Sequence, residues 1–363
     1  MKDLRILHIS TAKSWRGGEQ QLAYLLEELQ TECQNFVFCS EGSEMQAHCE
    51  KKAYPHLAAK KRFSVDPAFA MAIKKYCDEQ NIQLIHTHDS HAHSLAIIAA
   101  TLFGNTVPIV VSRRVDFPIQ KSLFSQYKYN HSLVKKILCV SKEIMRITAL
   151  GIKELDKLQT VYSGVDLNKF SADSGKLRRE LDIPKETFLI GNTSAIADHK
   201  DYFTFIDTAE KSLKEDPSLL FLIIGKGPME NEIASYLRLK SLGDSVRMIG
   251  FRNDIPEILA ELDLFMITSK TEGLGTSIID AFAAGVPVLA TEAGGIPELV
   301  ENEKTGLLCD VGDSNSLSES LARLKNDAQL RQKLIAEAAE KVKKFSKAQT
   351  AQDTLAVYRE LLS

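Results

Sequence analysis

The fold is decided by residues 269–295, SKTEGLGTSIIDAFAAGVPVLATEAGG, which follow the apolar run LDLFMIT. The pattern predicts a strand, a turn punctuated by glycines, a helix and a second strand, VPVLATE. Units of this kind, repeated along a chain, build parallel sheets covered by helices. We therefore expect an α/β protein with a ligand site at the glycine turn.

The turn and the helix start are suited to a ligand that carries phosphate. Thr276 is a good N-cap, and the first-turn amides of a helix are unpaired donors with partial positive charge. Asp280 follows Glu272 by eight residues and is expected on roughly the same helix face. Amides for a diphosphate and carboxylates for sugar and ribose hydroxyls suit a nucleotide sugar. The stretch alone is equally compatible with an ordinary strand–turn–helix whose acids are solvated.

Length and composition indicate a soluble protein of two domains. The chain has 363 residues, of which 44% are hydrophobic and 26% charged. No signal-peptide pattern opens it, and no apolar run reaches the roughly 18 residues of a membrane span. The six cysteines form no CxxC pair. We expect reduced, mostly buried thiols and a cytoplasmic location.

Charge is unevenly spread along the chain. Residues 1–167 hold 21 Lys and Arg against 17 Asp and Glu, whereas the remainder holds 24 against 31. The basic bias is compatible with an anionic acceptor or with peripheral contact at the inner membrane face, and ordinary solvated charge explains it equally well. It is too weak to indicate a nucleic-acid partner.

Two successive series of strand-like runs indicate two doubly wound domains. Turn-forming residues at 162–175 mark the joint between them. We predict strands, in chain order, at Arg5–Ser10, Asn35–Ser40, Leu84–His86, Ile109–Ser112, Ile137–Val140, Phe188–Gly191, Leu219–Gly225, Ser245–Ile249, Leu264–Thr268 and Val286–Ala290. The tail from Ser346 reads as an amphipathic helix.

Further motifs follow predicted strands, where ligands of open α/β sheets bind. Gly17 and Gly18 open a helix after the first strand, so that backbone amides can approach a diphosphate; a capping glycine in a tight loop is the alternative. The spacing is not GxGxxG, which counts against a nicotinamide or flavin cofactor. Lys200 supplies an ammonium at a helix start, and GKGP (225–228) is placed to contact the base or ribose.

Basic residues also follow strands in the first half. His86, His88, His91 and His93 do not have the spacing of a closed tetrahedral set, so we predict no metal site and expect His88 to face a ligand. Arg113 and Arg114 can bind phosphate or carboxylate. The lysines and aromatic residues that follow them suit either an anionic membrane surface or a solvated helix.

At this point the chain resembles, over nearly its whole length, the retaining glycosyltransferases of family four with the GT-B fold. EGLGTSIIDAFAAGVPVLATEAGGIPELV (272–300) is similar to the family's E-x7-E signature, with its glycine pair and Glu298. VYSGVDLNKF (161–170) resembles the interdomain segment. The resemblance implies two Rossmann-like domains facing across a cleft, 1–165 for the acceptor and 166–345 for the donor, with the helix at 346–363 crossing back onto the first domain.

The resemblance also implies the site residues. Glu272 and Lys200 take part in the reaction, and His88, Arg113 and Arg114 face the acceptor or phosphate. The donor-binding residues are Gly17, Gly18, Lys200, Gly225, Gly227, Glu272, Gly273, Leu274, Gly275, Thr276 and Asp280. No DxD motif occurs, which agrees with chemistry that needs no metal and no cofactor beyond the nucleoside diphosphate sugar substrate.

Three departures from the family pattern stand out. Asp280 replaces the second glutamate, and Ser194-Ala195-Ile196 lacks the arginine that precedes the family's lysine. Ser112-Arg113-Arg114 replaces a histidine, and arginine cannot act as a base. Arg113, Arg114 or Lys226 compensates for the lost charge, or the chain is a weakened relative.

These observations together predict a retaining glycosyltransferase that moves a sugar from a nucleoside diphosphate to a glycan or lipid-linked acceptor in polysaccharide or glycolipid biosynthesis. Two alternatives stay open at this point. One is a nucleotide-sugar-binding module with little or no turnover, and the other is a nucleotide-sugar epimerase on the same fold.

Overall fold

The protein divides into two compact units in a computed structural model that describes residues 4–170 and 175–363. The first unit contains Met1–Gly164 and Lys347–Ser363, and the second contains Val165–Ser346. The C-terminal segment thus belongs with the first half of the chain.

The change of unit after Gly164 lies in the segment 162–175, where turn-forming residues replace periodic apolar ones. Residues 171–174 of that segment lie outside the described residues. The acceptor and donor roles of the two ranges stay predictions.

A parallel sheet of seven strands forms the centre of the first unit. Its strands are β1 (Arg5–Ser10), β2 (Gln34–Ser40), β3 (His56–Ala59), β4 (Leu84–Thr87), β5 (Ile109–Arg113), β6 (Val134–Cys139) and β7 (Leu158–Thr160). Their spatial order is β3-β2-β1-β4-β5-β6-β7. The direction of winding reverses between β1 and β4, and ligands of open α/β sheets bind at such a reversal.

A parallel sheet of six strands forms the centre of the second unit. Its strands are β8 (Leu189–Thr193), β9 (Leu220–Ile224), β10 (Val246–Gly250), β11 (Leu264–Ile267), β12 (Val288–Thr291) and β13 (Leu307–Cys309). The spatial order β10-β9-β8-β11-β12-β13 places the reversal between β8 and β11. The loops that follow these two strands are therefore neighbours.

Helices connect the strands in both units. The first unit contains α1 (Gly17–Glu28), α2 (Glu44–Lys52), α3 (Pro67–Glu79), α4 (Ser90–Phe103), α5 (Leu123–Tyr129), α6 (Lys142–Ala149) and α15 (Lys347–Leu362). The second contains α7 (Lys176–Glu180), α8 (Tyr202–Glu215), α9 (Glu230–Lys240), α10 (Ile255–Ala260), α11 (Thr276–Ala283), α12 (Ile296–Leu299), α13 (Ser314–Asn326) and α14 (Ala328–Val342). Single 3₁₀ turns lie at Leu155–Lys157, Leu167–Lys169, Asp198–Lys200 and Lys343–Phe345.

All ten predicted strands are present, with bounds that differ by three residues at most. The sequence did not reveal β3, β7 and β13, which have three or four residues each and lie at sheet edges. β3 and β7 are partly exposed and lack the continuous apolar run that marks a central parallel strand, whereas β13 is apolar and mostly buried but only three residues long.

The tail helix α15 is part of the core of the first unit. Leu355, Val357 and Tyr358 are buried in one apolar cluster with strand residues such as Ile6 and Leu84. The Tyr358 hydroxyl lies 2.5 Å from Nδ1 of His86, and Thr350 donates to the carbonyl oxygen of Tyr162 at 2.8 Å. Helix α15 therefore packs on the first sheet, although it follows the second unit in the sequence.

Two predictions from composition can be compared with the structure. All six cysteines have free thiols and are buried, as expected. Among the described residues, no helix combines the length and the apolar character that crossing a bilayer requires.

Candidate functional site

Lys200 and Glu272 meet at the reversal of the second sheet. Lys200 closes the 3₁₀ turn after β8, and Glu272 lies in the loop after β11. These loops are neighbours because β8 and β11 are hydrogen-bonded. The Lys200 ammonium forms an ion pair with Oε1 of Glu272, across 72 positions of sequence. The structure thus brings together the two residues that the sequence predicted to take part in the reaction.

The ion pair is mostly withdrawn from water. The side chains of Lys200 and Glu272 are 14% and 9% exposed, so their mutual attraction is weakly screened. Ser269 donates a hydrogen bond to Oε1 of Glu272 at 2.8 Å. Thr268 fastens the other loop by donating to the carbonyl oxygen of Asp201 at 2.9 Å. A phosphate that reaches Lys200 has to share it with Glu272.

The glycine pair at 294–295 holds the loop that carries Glu272. The amide of Gly295 donates to the carbonyl oxygen of Glu272 at 2.9 Å. A Cβ at Gly294 would lie 2.2 Å from that same oxygen, and one at Gly295 would lie 2.4 Å from the carbonyl oxygen of Gly273. Gly294 also has a φ of +54°, which L side chains rarely adopt. These glycines are explained by backbone contact within the second unit.

Two details of the turn differ from the sequence prediction. Gly275, with a φ of 92°, is the N-cap of α11, and Thr276 is its first helical residue. The prediction of Thr276 as the cap was wrong because the left-handed entry of the chain requires a glycine one position earlier. Glu272 precedes the helix, so helical periodicity does not place it on the same face as Asp280. Leu274 is buried beneath the turn.

Asp280 lies in the second half of α11 and is partly buried. Burial raises the pKa of this carboxyl to about 7, and the Lys169 ammonium offsets part of that rise. The group therefore changes protonation state near neutral pH. Its carboxylate form accepts hydrogen bonds from hydroxyls, as its predicted contact with a ribose requires.

Gly225 and Gly227 pack against the loop that follows β8. A Cβ at either position would lie 2.1 Å from a backbone oxygen, that of Ser194 or that of Ile196 respectively. The amide of Ile196 also donates to the carbonyl oxygen of Lys226 at 3.1 Å. Close backbone packing is thus sufficient to explain both glycines, and their contact with a nucleotide stays a prediction.

The loop after β8 shows what replaces the family's missing arginine. Ala195 is exposed and uncharged at that position. The hydroxyl of Ser194 donates to Oδ1 of Asn192 at 2.7 Å and lies 2.9 Å from the Tyr202 hydroxyl. Lys226 is exposed on the adjoining loop, and it is closer to Ala195 in sequence than Arg113 or Arg114, the other two proposed substitutes.

Gly17 and Gly18 are the first residues of α1, as predicted. A Cβ at either position would meet nothing within 4 Å, so the fold of the first unit does not require these glycines. Glu19 closes the helix start by accepting from the amide of Arg16 at 3.1 Å. A requirement for glycine at 17 or 18 would therefore reflect a ligand.

The two adjacent arginines have different surroundings. Arg113 donates to the Tyr129 hydroxyl at 2.8 Å and to the carbonyl oxygen of Phe117, so its guanidinium is held inside the first unit. Arg114 donates to the carbonyl oxygen of His88 at 3.1 Å, and Nε of both arginines is buried without a hydrogen-bond partner among the described residues. Burial lowers the pKa of Arg114 to about 10, so the side chain stays charged at neutral pH. Arg114 is the better placed of the two to receive an anion.

His88 is buried beside a histidine that the sequence did not suggest. Its Nε2 lies 3.0 Å from Nδ1 of His8, a residue on β1. The parallel pairing of β1 with β4 brings His8 level with His86. His8 and His88 are 80 positions apart, so their contact could have been predicted only from the knowledge that β1 pairs with β4.

Comparison with known proteins gives matches along nearly the whole chain. Residues 15–169 match the family model described as Glycosyltransferase Family 4, and residues 173–341 match the model described as Glycosyl transferases group 1. The two models meet near the joint between the units.

Individual relatives and a solved structure extend this similarity. The chain is 26% identical over 283 residues to the N-acetyl-alpha-D-glucosaminyl L-malate synthase of Bacillus anthracis, which covers 76% of this chain and 74% of the relative. It is 29% identical over 275 residues to the UDP-Gal:alpha-D-GlcNAc-diphosphoundecaprenol alpha-1,3-galactosyltransferase of Escherichia coli, with coverage of 71% and 70%. The crystal structure of HepE from Anabaena in complex with UDP and glucose has a TM-score of 0.84 at 20% identity and covers 98% of this chain and 99% of HepE.

A Cβ at Gly17 would meet no other atom within 4 Å, so a substitution there can show whether a ligand, rather than the fold, requires glycine. We expect Gly17→Ala to leave thermal stability unchanged or slightly higher, since alanine favours a helix by up to about 1 kcal/mol, while nucleotide-sugar affinity falls. Gly294→Ala is expected to destabilise the protein by at least 1–3 kcal/mol, an order-of-magnitude figure for a strained backbone position.

Thermal melts and donor titrations check both variants. Gly285→Ala is the matched control for Gly294→Ala, because Gly285 also has a positive φ, +72°, but nothing lies within 4 Å of its Cβ position. Unchanged donor affinity in a well-folded Gly17→Ala protein would remove Gly17 from the site.

Asp280 should make nucleotide-sugar binding depend on pH. As pH rises through about 7, the carboxylate form gains population and affinity is expected to increase. The folded pKa exceeds the unfolded reference value of 3.8, so the stability that protonated Asp280 contributes is lost as pH rises toward 7. Calorimetric titrations and melts between about pH 5.5 and 8.5 measure both effects. Asp280→Asn is expected to flatten both profiles, and an unaltered affinity profile in that variant would contradict the role.

Proposed function

Because this chain belongs to the family-four glycosyltransferases of the GT-B fold, we propose that it moves a sugar from a nucleoside diphosphate sugar to a glycan or lipid-linked acceptor, with retention at the anomeric carbon. The context we propose is polysaccharide or glycolipid biosynthesis. The binding-module and epimerase alternatives are not favoured, since the relatives above are named as a synthase and a transferase.

The observation that carries this proposal is the buried Lys200–Glu272 pair at the reversal of the second sheet. A sugar diphosphate has an anionic end and a hydroxyl-bearing end, and a cation next to a carboxylate can bind both. The ammonium of Lys200 stabilises negative charge that builds on the departing diphosphate. Glu272 orients the donor sugar through its hydroxyls, and the backbone at Gly273–Thr276 lines the same place. We propose Asp280 as the ribose contact.

The reaction proposed here needs no ion at the donor site. Charge on the leaving group is balanced by Lys200 and by the amides at the start of α11. The acceptor hydroxyl attacks the face from which the diphosphate departs, and the diphosphate takes the proton. No protein base is then required, which suits a chain with Arg113 and Arg114 where the family often has a histidine.

The first unit is proposed to receive the acceptor. Arg114 offers a charged guanidinium at the carboxyl end of β5, where one hydrogen bond joins it to the His88 loop. An anionic group on the acceptor, such as the diphosphate of a lipid-linked sugar, would pair with it. The name of the Escherichia coli relative includes a diphosphoundecaprenol acceptor of that kind.

We propose peripheral contact between the first unit and an anionic membrane. Twelve of the fifteen large hydrophobic side chains that are exposed in the described residues lie in this unit. Seven of them lie within 113–157, the apolar–basic segment, where Leu123 is 91% exposed. The segment also holds ten Lys and Arg against four Asp and Glu, although Arg113, Lys128 and Lys157 are buried. Apolar side chains among basic ones bind anionic lipid surfaces.

Activity of a Lys200 variant tests the proposed function. A thermal-shift screen with UDP-, GDP- and ADP-sugars first identifies the donor, because a ligand stabilises the native state by mass action. With that donor, we expect Lys200→Ala to lower kcat/KM by roughly 10- to 150-fold, which corresponds to a lost charged contact of about 1.5–3 kcal/mol.

Lys270→Ala is the matched control for this experiment. Lys270 lies in the same loop as Glu272, but its ammonium is half exposed and pairs with Asp198 at 2.9 Å. Melts confirm that each variant is folded at the assay temperature, since breaking a buried pair also costs stability. If Lys200→Ala and Glu272→Ala both keep activity within about threefold of wild type, or about 0.6 kcal/mol of barrier, the assigned roles are wrong.

Vesicle binding tests the membrane proposal. We expect co-sedimentation with vesicles that contain anionic lipid, weaker binding at high salt, and little binding to neutral vesicles. Replacing Leu123 and Phe124 by serine should reduce binding, because both side chains are exposed in the apolar–basic segment. Leu239→Ser, a change at a 78% exposed leucine of the second unit, is the control. Wild-type protein that stays in solution at low salt would refute the contact.

A further inference from the structure

Three buried histidines lie together at the reversal of the first sheet. His8 on β1 and His86 on β4 are 0% and 2% exposed, and His88 follows β4 at 5%. One ring nitrogen from each residue lies within 4.8 Å of the nitrogens of the other two. Imidazole nitrogens are the ligands that zinc and neighbouring transition metals favour.

The hydrogen bonds of Asn35 fix the tautomer of His8. The side-chain amide of Asn35 donates through Nδ2 to the carbonyl oxygen of Leu29 at 3.3 Å, which orients its Oδ1 toward His8. Nε2 of His8 lies 3.1 Å from that oxygen and must donate to it, since a carbonyl oxygen only accepts. Nδ1 of His8 therefore presents a lone pair toward His88. An outer oxygen that fixes the ring in this way is typical of metal-bound histidine.

His88 has a nitrogen that nothing in the described chain satisfies. Its Nε2 donates to Nδ1 of His8 at 3.0 Å, which leaves a lone pair on Nδ1, and Nδ1 is buried with no hydrogen-bond partner. No contact of Nδ1 therefore prevents the ring from adopting the other tautomer, in which Nε2 carries the lone pair.

The charged side chain that acts directly on the cluster is an arginine. Arg114 is the positive group that faces His86 and His88. Two carboxylates, Glu19 and Asp89, act on the same guanidinium. These carboxylates offset the charge of Arg114.

We propose that His8, His86 and His88 bind one late first-row divalent ion of the zinc class. This differs from the expectation drawn from the chain order, which grouped His86 and His88 with His91 and His93. His91 is exposed, and His93 lies in α4 with its ring 4.8 Å from that of Tyr129. The site lies wholly within the first unit, beside Arg114 and the proposed acceptor region, and the donor chemistry proposed for Lys200 and Glu272 does not use it.

The geometry requires only small side-chain movements. Ligand nitrogens about 2.0–2.1 Å from a tetrahedral ion lie about 3.3 Å apart. Nδ1 of His8 and Nε2 of His88 are 3.0 Å apart, so the ion would take the place of the hydrogen bond between them, and the proton of His88 would move from Nε2 to Nδ1. His86 would ligate through one ring nitrogen and keep its contact with either Ser112 at 2.8 Å or Tyr358 at 2.5 Å through the other. Because Tyr358 belongs to α15, the ion would tie the tail helix to the strand ends.

Cobalt and zinc titrations of untagged protein test the proposal. After chelator treatment and dialysis, we expect one equivalent of Co²⁺ to bind, with the intense visible absorption of a four-coordinate ion, and Zn²⁺ to displace it. The melting temperature should rise with the free metal concentration. Wild-type protein that takes up neither ion overturns the proposal, whatever the variants do.

Variants locate the site within the chain. His8→Ala and His88→Ala should each lose the cobalt absorption, whereas the control His91→Ala, three positions beyond His88 and exposed, should keep it. Loss of absorption in His91→Ala with retention in His8→Ala would contradict this assignment. A transfer assay on the same samples is a separate readout, so failure of the metal site and failure of the proposed function are distinguishable.

Discussion

The structure of the second unit depends on keeping two opposite charges, Lys200 and Glu272, together away from water. Withdrawing both from solvent costs several kcal/mol for each ion, an order-of-magnitude figure, and only close pairing with further hydrogen bonds offsets it. Ser269 supplies one such bond. Gly294 and Gly295 allow two loop backbones to approach as closely as the pair requires. The loop is thus built around a charge arrangement that a sugar diphosphate is proposed to use.

The parallel sheets explain why the candidate sites lie where they do. In each unit the strand order reverses once, between β1 and β4 and between β8 and β11, and the loops at the carboxyl ends of those strands diverge there. Lys200 and Glu272 follow the second pair of strands. His8, His86 and His88 lie at the first pair. The same topological constraint thus produced a charged pair in one unit and a neutral imidazole cluster in the other.

The two units differ in what their surfaces present. The first unit exposes most of the large apolar side chains and carries the basic excess, whereas the second carries the acidic excess. Arg113 shows that basic residues of the sequence need not reach that surface, because Tyr129 and Phe117 hold its guanidinium inside the unit. Charge counted along a chain therefore overestimates the charge that a partner meets.

The family resemblance placed Lys200 and Glu272 in one predicted site, and the structure showed their contact. The sequence by itself determined the class of fold and ten of the thirteen described strands, because buried parallel strands and glycine turns leave local patterns. It did not reveal the short edge strands β3, β7 and β13, the left-handed cap at Gly275, or the contact of His8 with His88. Only the tertiary structure decided these, together with the different surroundings of Arg113 and Arg114. Strands of three or four residues leave a pattern that is too short to recognise, and contacts between distant residues depend on strand order, which neighbouring residues do not encode.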